Sequence, residues 1–324
     1  MKTWLRSALF CASWVVCIAA AMAQGFPSKP VHIVVPFTAG GTADVLARLI
    51  GQKMSEALGQ QVLVENRPGA GTVIGTEVVA HAPADGHTLL LMANSFTINP
   101  AVRDKLPYDP FKDFAPVTML VSSPQVLVVG PSLPVKSLAE FITLVRSRPG
   151  QFSIATVGPA TTQHIASEML KSIMKLDMIY APYPGGAPAI VALAGGHVNA
   201  VLANYSEVAP QVLSGKILAI AVTSRERMPT LPDVPTVSES GYPDFEAAAW
   251  FGLVATGGSP PSAIARLNAE ANKALKASDV RDKLVAQGMY IYPVSTTPEQ
   301  FDAHIRSEMA KYAKVIKEAG INED

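Results

Sequence analysis

The chain has 324 residues, with 26 basic and 26 acidic side chains, 49% hydrophobic residues and two cysteines. This balanced charge offers no basic stripe for a nucleic acid or an anionic membrane surface, so no nucleic-acid partner is expected. Both cysteines, Cys11 and Cys17, fall in an N-terminal leader, which removes disulfides, cysteine metal sites and cysteine nucleophiles from the mature part.

Residues 1–23 read as an export signal. Lys2 and Arg6 form a basic start, Ala8 to Ala20 an apolar run, and Ala21-Met22-Ala23 a cleavage site ahead of Gln24. The apolar run is shorter than the roughly 18–20 residues a membrane span needs, so an exported, periplasmic chain is expected. What remains is long enough for two domains of roughly 100–200 residues each.

From there short apolar runs alternate with amphipathic segments. Strands are expected at 31–36, 62–65, 88–92, 126–129, 152–156, 178–181, 200–203, 217–222 and 250–254. Helices fill the gaps, as over 137–148, where Leu138, Phe141, Ile142 and Val145 recur at i, i+3, i+4 and i+7. This alternation predicts an α/β fold with mostly parallel sheets.

The first strand runs into Gly40-Gly41-Thr42 and then a helix. Such a junction points free backbone N–H groups out of the carboxyl edge of the sheet and can hold an anion without a basic side chain. Thr38 and Thr42 offer hydroxyls, and Asp44 either caps the helix or meets the polar end of a ligand; a plain turn with an N-cap explains the same residues. The next unit carries Gly69, Gly71 and Gly75 at G-x-G-x-x-x-G spacing behind Pro68. That departs from the dinucleotide fingerprint and sits in the second β-α unit rather than the first. An exported NAD(P)-dependent enzyme using these glycines is kept as the alternative of a different class.

Residues 152–170 repeat the first arrangement: a strand, then Gly158-Pro159-Ala160-Thr161-Thr162, then a helix bearing His164. Two hydroxyl-rich helix openings could grip a small anion from opposite sides of a cleft. Further on, Tyr183, Gly185 and Gly186 precede a short helix, and Asn204 follows an apolar strand. The six histidines form no H-x-x-x-H pair, so no metal and no cofactor are expected. No nucleophile elbow or phosphate loop is present, which favours a binding protein over an enzyme. The segment 224–246 is proline-rich, a linker or a long ordered loop. The tail after 260 is helical, with Phe301, Ile305, Met309, Tyr312 and Ile316 on one stripe that should return to cover the first domain.

Several phrases resemble the substrate-binding receptors of the tripartite tricarboxylate transporter family, the Bug or TctC group. They include "PFTAGGTADVLARLIGQKM", "ENRPGAGTVIGTEVVAHAPADGHTLLL", "YPGGAPAIVALAGGHVNAVLAN" and "RMPTLPDVPTVSESGYPDFEAAAWFGLVA", and the likeness spans the mature chain. The resemblance implies a two-domain periplasmic binding protein of the flytrap type (type II), with a central mixed, mostly parallel sheet in each domain. Its boundaries would be 24–122 plus 247–324 for the discontinuous first domain and 123–246 for the second, with crossings near 121–125 and within 224–246. It implies a small carboxylate ligand, held by Phe37, Thr38, Ala39, Gly40, Gly41 and Thr42 on one side and by the 157–164 loop on the other. Asn94 and Ser95 match a further position lining the cleft. The expected product is a monomeric, non-catalytic receptor that delivers its ligand to integral membrane transporter subunits; a sensor that addresses a membrane kinase reads the same way. Two residues depart from the family pattern: Ala160 stands where a second glycine is usual, and Asn199 where aspartate is common, which would remove a partner for a ligand amino group or for the domain interface.

Overall fold

The computed structural model describes residues 25–158, 161–243, 245–290 and 296–319, and the expected export signal lies outside them. Two sheets share one long strand. In the first, β1 (Val31–Val35) lies between β2 (Val62–Asn66) and β3 (Thr88–Ala93), parallel to both; β9 (Ala248–Thr256) runs antiparallel to β3, and β4 (Phe114–Val129) antiparallel to β9. In the second, Gln125–Val129 of the same β4 pairs antiparallel with β7 (Ala200–Asn204), and its other edge takes β8 (Leu218–Val222). The strands β5 (Ser153–Thr156) and β6 (Ile179–Pro182) continue that sheet in parallel. The architecture is thus a mixed α/β fold of two sheets joined through β4, in which every antiparallel pairing involves β4 or β9.

β4 is longer than its sequence suggests because Pro116 and Pro124 break up the apolar pattern. Register shifts between Pro116 and Thr118 and between Met119 and Val121 absorb the irregularity and bend the strand. A second element hidden by proline is α3 (Ser95–Val102), which carries Pro100. The proline-rich stretch after β8 is an ordered loop: Val237 and Phe245 are buried in the second sheet's core, and Arg227 pairs with Glu239 at 2.9 Å.

Helices cover both faces of each sheet. α1 (Thr42–Leu58), α8 (Pro261–Lys276) and the short α9 (Ser278–Ala286) put Leu46, Ile50, Leu267, Ala271 and Val280 into one core with Val31, Ile33 and Val121. Helix α2 (Val73–Ala80) and the first turns of the C-terminal helix α10 (Pro298–Ala319) cover the opposite face, where Phe301 and Ile305 meet Val34, Leu90 and Trp250. Gly252 permits this packing: any Cβ there would collide with the Phe301 ring. In the second half, α4 (Leu138–Ser147) and α5 (Thr162–Ile173) lie on one face, and α6 (Gly186–Ala194) and α7 (Tyr205–Leu213) on the other. The predicted face of α4 is fully inward, with Leu138, Phe141, Ile142 and Val145 all buried. Farther along α10, Tyr312 and Ile316 join Ile98 and Val102 of α3 and Ile165 of α5, so the tail touches both halves.

Candidate functional site

The carboxyl ends of β1, β3, β5 and β7 all face a cavity of about 330 Å³ between the two sheets. This is the edge where open α/β sheets present helix N-termini to ligands. The wall takes Thr42 and Ala43 from α1, Gly69 to Thr72 ahead of α2, Ser95 from α3, Thr162 and Gln163 from α5, Gly185 and Gly186 at α6, and Asn204 and Glu207 at α7. Each helix opening contributes a partial positive charge of about half a unit. No lysine or arginine is among the described lining residues.

On the first side the chain leaves α1 open. Gly41 stands at its N-cap with no side-chain hydrogen bond, after Gly40 in a left-handed conformation (φ 83°). The carboxylate of Asp44 turns back to accept from Gly40 N–H at 2.9 Å and from Arg48 Nε at 3.1 Å. Burial alone would raise the pKa of Asp44, but bonds from Arg48, Gly40 and Asn66 outweigh it and hold the carboxyl below its usual range. Asn66 also donates to the Phe37 carbonyl at 3.1 Å, pinning the loop from behind. The neighbouring Gly69–Thr72 loop holds four successive residues at positive φ, including Ala70 (46°) and Thr72 (82°). Such conformations cost energy in non-glycine residues and cluster at functional sites. Asn99 donates to the Gly71 carbonyl at 2.9 Å, Arg103 to that of Ala70 at 3.1 Å, and Thr72 Oγ1 to Ser95 Oγ at 3.0 Å.

On the second side, Thr161 caps α5. Its hydroxyl accepts from His164 N–H at 3.3 Å and donates to the Gly158 carbonyl at 2.7 Å. The His164 ring bonds Thr156 Oγ1 at 2.9 Å and packs on Tyr180, and burial lowers its pKa. Glu207 is the one titratable group among the described lining residues. Burial pushes its carboxyl up to about 7 while Asn204 pulls the other way. The two sides touch where Thr42 Oγ1 meets Ser206 Oγ at 2.7 Å.

Of the residues singled out from the sequence, Phe37, Thr38, Gly41, Thr42, Ser95, Thr161, Thr162 and Asn204 line the cavity. Ala39, Gly40, Asp44, Asn94, Gly158, His164 and Tyr183 do not, and Ala160 lies outside the described residues. Asp44 and His164 brace their own loops, as above. Asn94 is fully buried: it donates to Tyr312 Oη at 2.8 Å and to the Ala248 carbonyl at 3.2 Å, and accepts from Trp250 N–H at 2.8 Å. Tyr183 packs on the core beneath α6 and α7. Asn199 sits at the far end of β7 from the cavity, accepting from Ser153 N–H at 2.8 Å, so its substitution bears on a strand edge.

The glycines weighed as a cofactor loop divide. Gly69 and Gly71 line this same cavity, whereas Gly75 lets α2 approach Pro36 and the Arg67 carbonyl, where a Cβ would come within 2.8 and 2.7 Å. Glu207 was not singled out. Its signal is the spacing Asn204-x-x-Glu207, a carboxylate three residues after a helix cap. Among the described residues no group of three histidine or acidic side chains could hold a metal ion.

Residues 46–321 match the family model described as "Tripartite tricarboxylate transporter family receptor". Three solved structures are similar over nearly the whole chain. The periplasmic binding protein BugD superposes with a TM-score of 0.86 at 33% identity, covering 92% of this chain and 99% of that one. Rpa4515 of Rhodopseudomonas palustris, solved with adipate, gives 0.87 at 35% identity over 92% and 99%. MatC of the same organism, solved with malate, gives 0.83 at 35% identity over 90% and 100%.

Proposed function

Since the chain belongs to the tripartite tricarboxylate transporter receptor family, a family of periplasmic solute-binding proteins, we propose that it is an exported, non-catalytic receptor. It captures a small carboxylate-bearing ligand between two domains, 24–122 with 247–324 and 123–246, and hands it to integral membrane transporter subunits. The observation that carries this reading is the convergence of helix openings on one cavity whose described lining has no basic side chain. Backbone N–H groups and threonine hydroxyls are a sufficient anion trap in a site shielded from water. The relatives solved with adipate and malate support the ligand class.

The ligand-binding residues are Thr38, Gly41, Thr42, Ser95, Thr161 and Thr162, with the strained Gly69–Thr72 loop between them. Closure around the ligand brings Thr42 and Ser206 together and presents the closed surface to the membrane partner. A thermal-shift screen of the mature chain against carboxylates tests this. A ligand at about 100 times its Kd adds about 2.7 kcal/mol, a shift of a few degrees. Stabilisation by NAD(P) with none by any carboxylate would sink the receptor reading.

A further inference from the structure

The wall at the start of α7 offers hydrogen-bond acceptors that nothing in the protein meets. Asn204 is 4% exposed and its Oδ1 has no partner; Oε2 of Glu207 is likewise buried and unpartnered. Behind that wall, directly across the β4–β7 pair from Asn204, Gln125 does not itself line the cavity and is fully buried with neither its amide donor nor its acceptor bonded. Gly186 lets α6 close on the same carboxyl, for a Cβ there would stand 2.8 Å from Oε2. Buried polar atoms in native proteins are almost always paired, so the orphaned Oδ1 of Asn204 and Oε2 of Glu207, on two residues of the cavity wall, mark where a ligand's polar group belongs.

We propose that Asn204 and Glu207 form a subsite for a protonated amine, so that this receptor's ligand is an acid bearing an ammonium group and not a dicarboxylate. The inference rests on the reading of the cavity as a carboxylate cleft. The acid end takes the helix openings and hydroxyls of the first half. The other end then faces Glu207, beside Asn204 of its own turn and the Gly185–Gly186 opening of α6, with no second titratable side chain among the described lining residues. A second ligand carboxylate there would stand beside a carboxyl group, and the two could coexist only if one kept a proton. An ammonium satisfies Oε2 and Oδ1 with two of its three N–H bonds, and its charge balances the ionised Glu207.

The test is calorimetry of the mature protein at neutral pH, in two buffers of different ionisation enthalpy, against acids matched in length. Caproate, adipate and ε-aminocaproate differ at one end only, as do butyrate, succinate and γ-aminobutyrate; norvaline and norleucine add the α-amino arrangement. The expected result is an amino acid bound at least about tenfold tighter than the dicarboxylate of its length, with release of a proton as Glu207 ionises. In Glu207→Gln that preference and the proton release should both disappear while the simple acid still binds. A dicarboxylate bound tightest, with proton uptake, overturns the inference and leaves the carboxylate cleft standing, as does a Glu207→Gln protein that keeps its amine preference. Should that variant not fold, the wild-type ranking and proton count decide. Silence to every acid overturns the cleft reading and this inference together.

Discussion

The two halves of the cavity wall differ in kind. The first half presents the uncapped start of α1, the strained Gly69–Thr72 loop and Ser95, all hydrogen-bond donors or hydroxyls and none of them ionisable. The second half closes α5 with its own Thr161 and adds the unpartnered acceptors Asn204 and Glu207. Two loops that look alike in sequence, glycine and threonine between a strand and a helix, therefore have different duties. What separates them is the cap: where a side chain already takes the helix's first N–H groups, fewer are left for a ligand.

The largest expected effect lies in the second half. The usual carboxyl value for Glu207 is 4.5, and burial raises it to about 7 in the folded protein. Between those values the native state holds a proton that the unfolded chain has given up. Stability therefore falls as pH rises through the window and levels off above about 7. The full difference is at most about 3 kcal/mol by linkage. Denaturant titrations of the ligand-free protein at pH 5 and pH 8 should show Glu207→Gln gaining on wild type by up to that amount at the higher pH. A constant difference between the two proteins would mean that Glu207 is solvated and that the second half is no more charged than the first.

Next comes the first half. Asp44→Ala removes the acceptor that folds Gly40 back over α1 and the partner of Arg48. It should cost about 1–3 kcal/mol, as for hydrogen bonds to a charged group. Because the Asp44 pKa is depressed in the fold, its contribution is present above the ordinary carboxyl range and is lost as pH falls through the folded value. The gap between Asp44→Ala and wild type should accordingly narrow in acid. Thr161→Ala in the second half removes an N-cap worth about 1 kcal/mol. It should lower stability while weakening ligand binding less than Thr38→Val does, because Thr161 is engaged with its own helix and Gly158. Equal losses of affinity would erase the distinction between the loops.

Much of this fold can be read from the sequence because period-2 and period-3.6 patterns survive wherever an element has one buried face. That is why the ranges expected for β1, β3, β7 and α4 lie within about two residues of those found. The patterns fail where proline stands inside an element, as at Pro116 and Pro124 in β4 and Pro100 in α3. In these places tertiary pairing outweighs local propensity. The loops after β1 and β5 are legible as helix openings for the same local reason. The role of Glu207 is not, since its meaning depends on Gly186 of another helix and on Gln125 of another strand, neither near it in sequence. Asn94 errs in the opposite direction: a polar residue at a strand end reads as a ligand contact until Tyr312, 218 residues away, takes its amide.

The smallest expected effect concerns the join between the halves. Thr42 and Ser206 share a hydroxyl–hydroxyl bond of 2.7 Å beside the cavity, one from the donor side and one from the acceptor side. If the halves separate in the free protein, this bond exists only in the closed state, and a contact confined to that state sets how long the ligand is held, not how fast it arrives. Ser206→Ala deletes the bond without touching either helix opening. It should raise the dissociation rate about two- to fivefold, the equivalent of a neutral hydrogen bond of about 0.5–1 kcal/mol. The association rate and the ligand-free melting temperature should stay unchanged. Stopped-flow binding separates the two rates. A drop in ligand-free stability of the same size would show instead that the halves are already joined without ligand, and that the difference between the two sides of the wall is fixed in the fold and not assembled on binding.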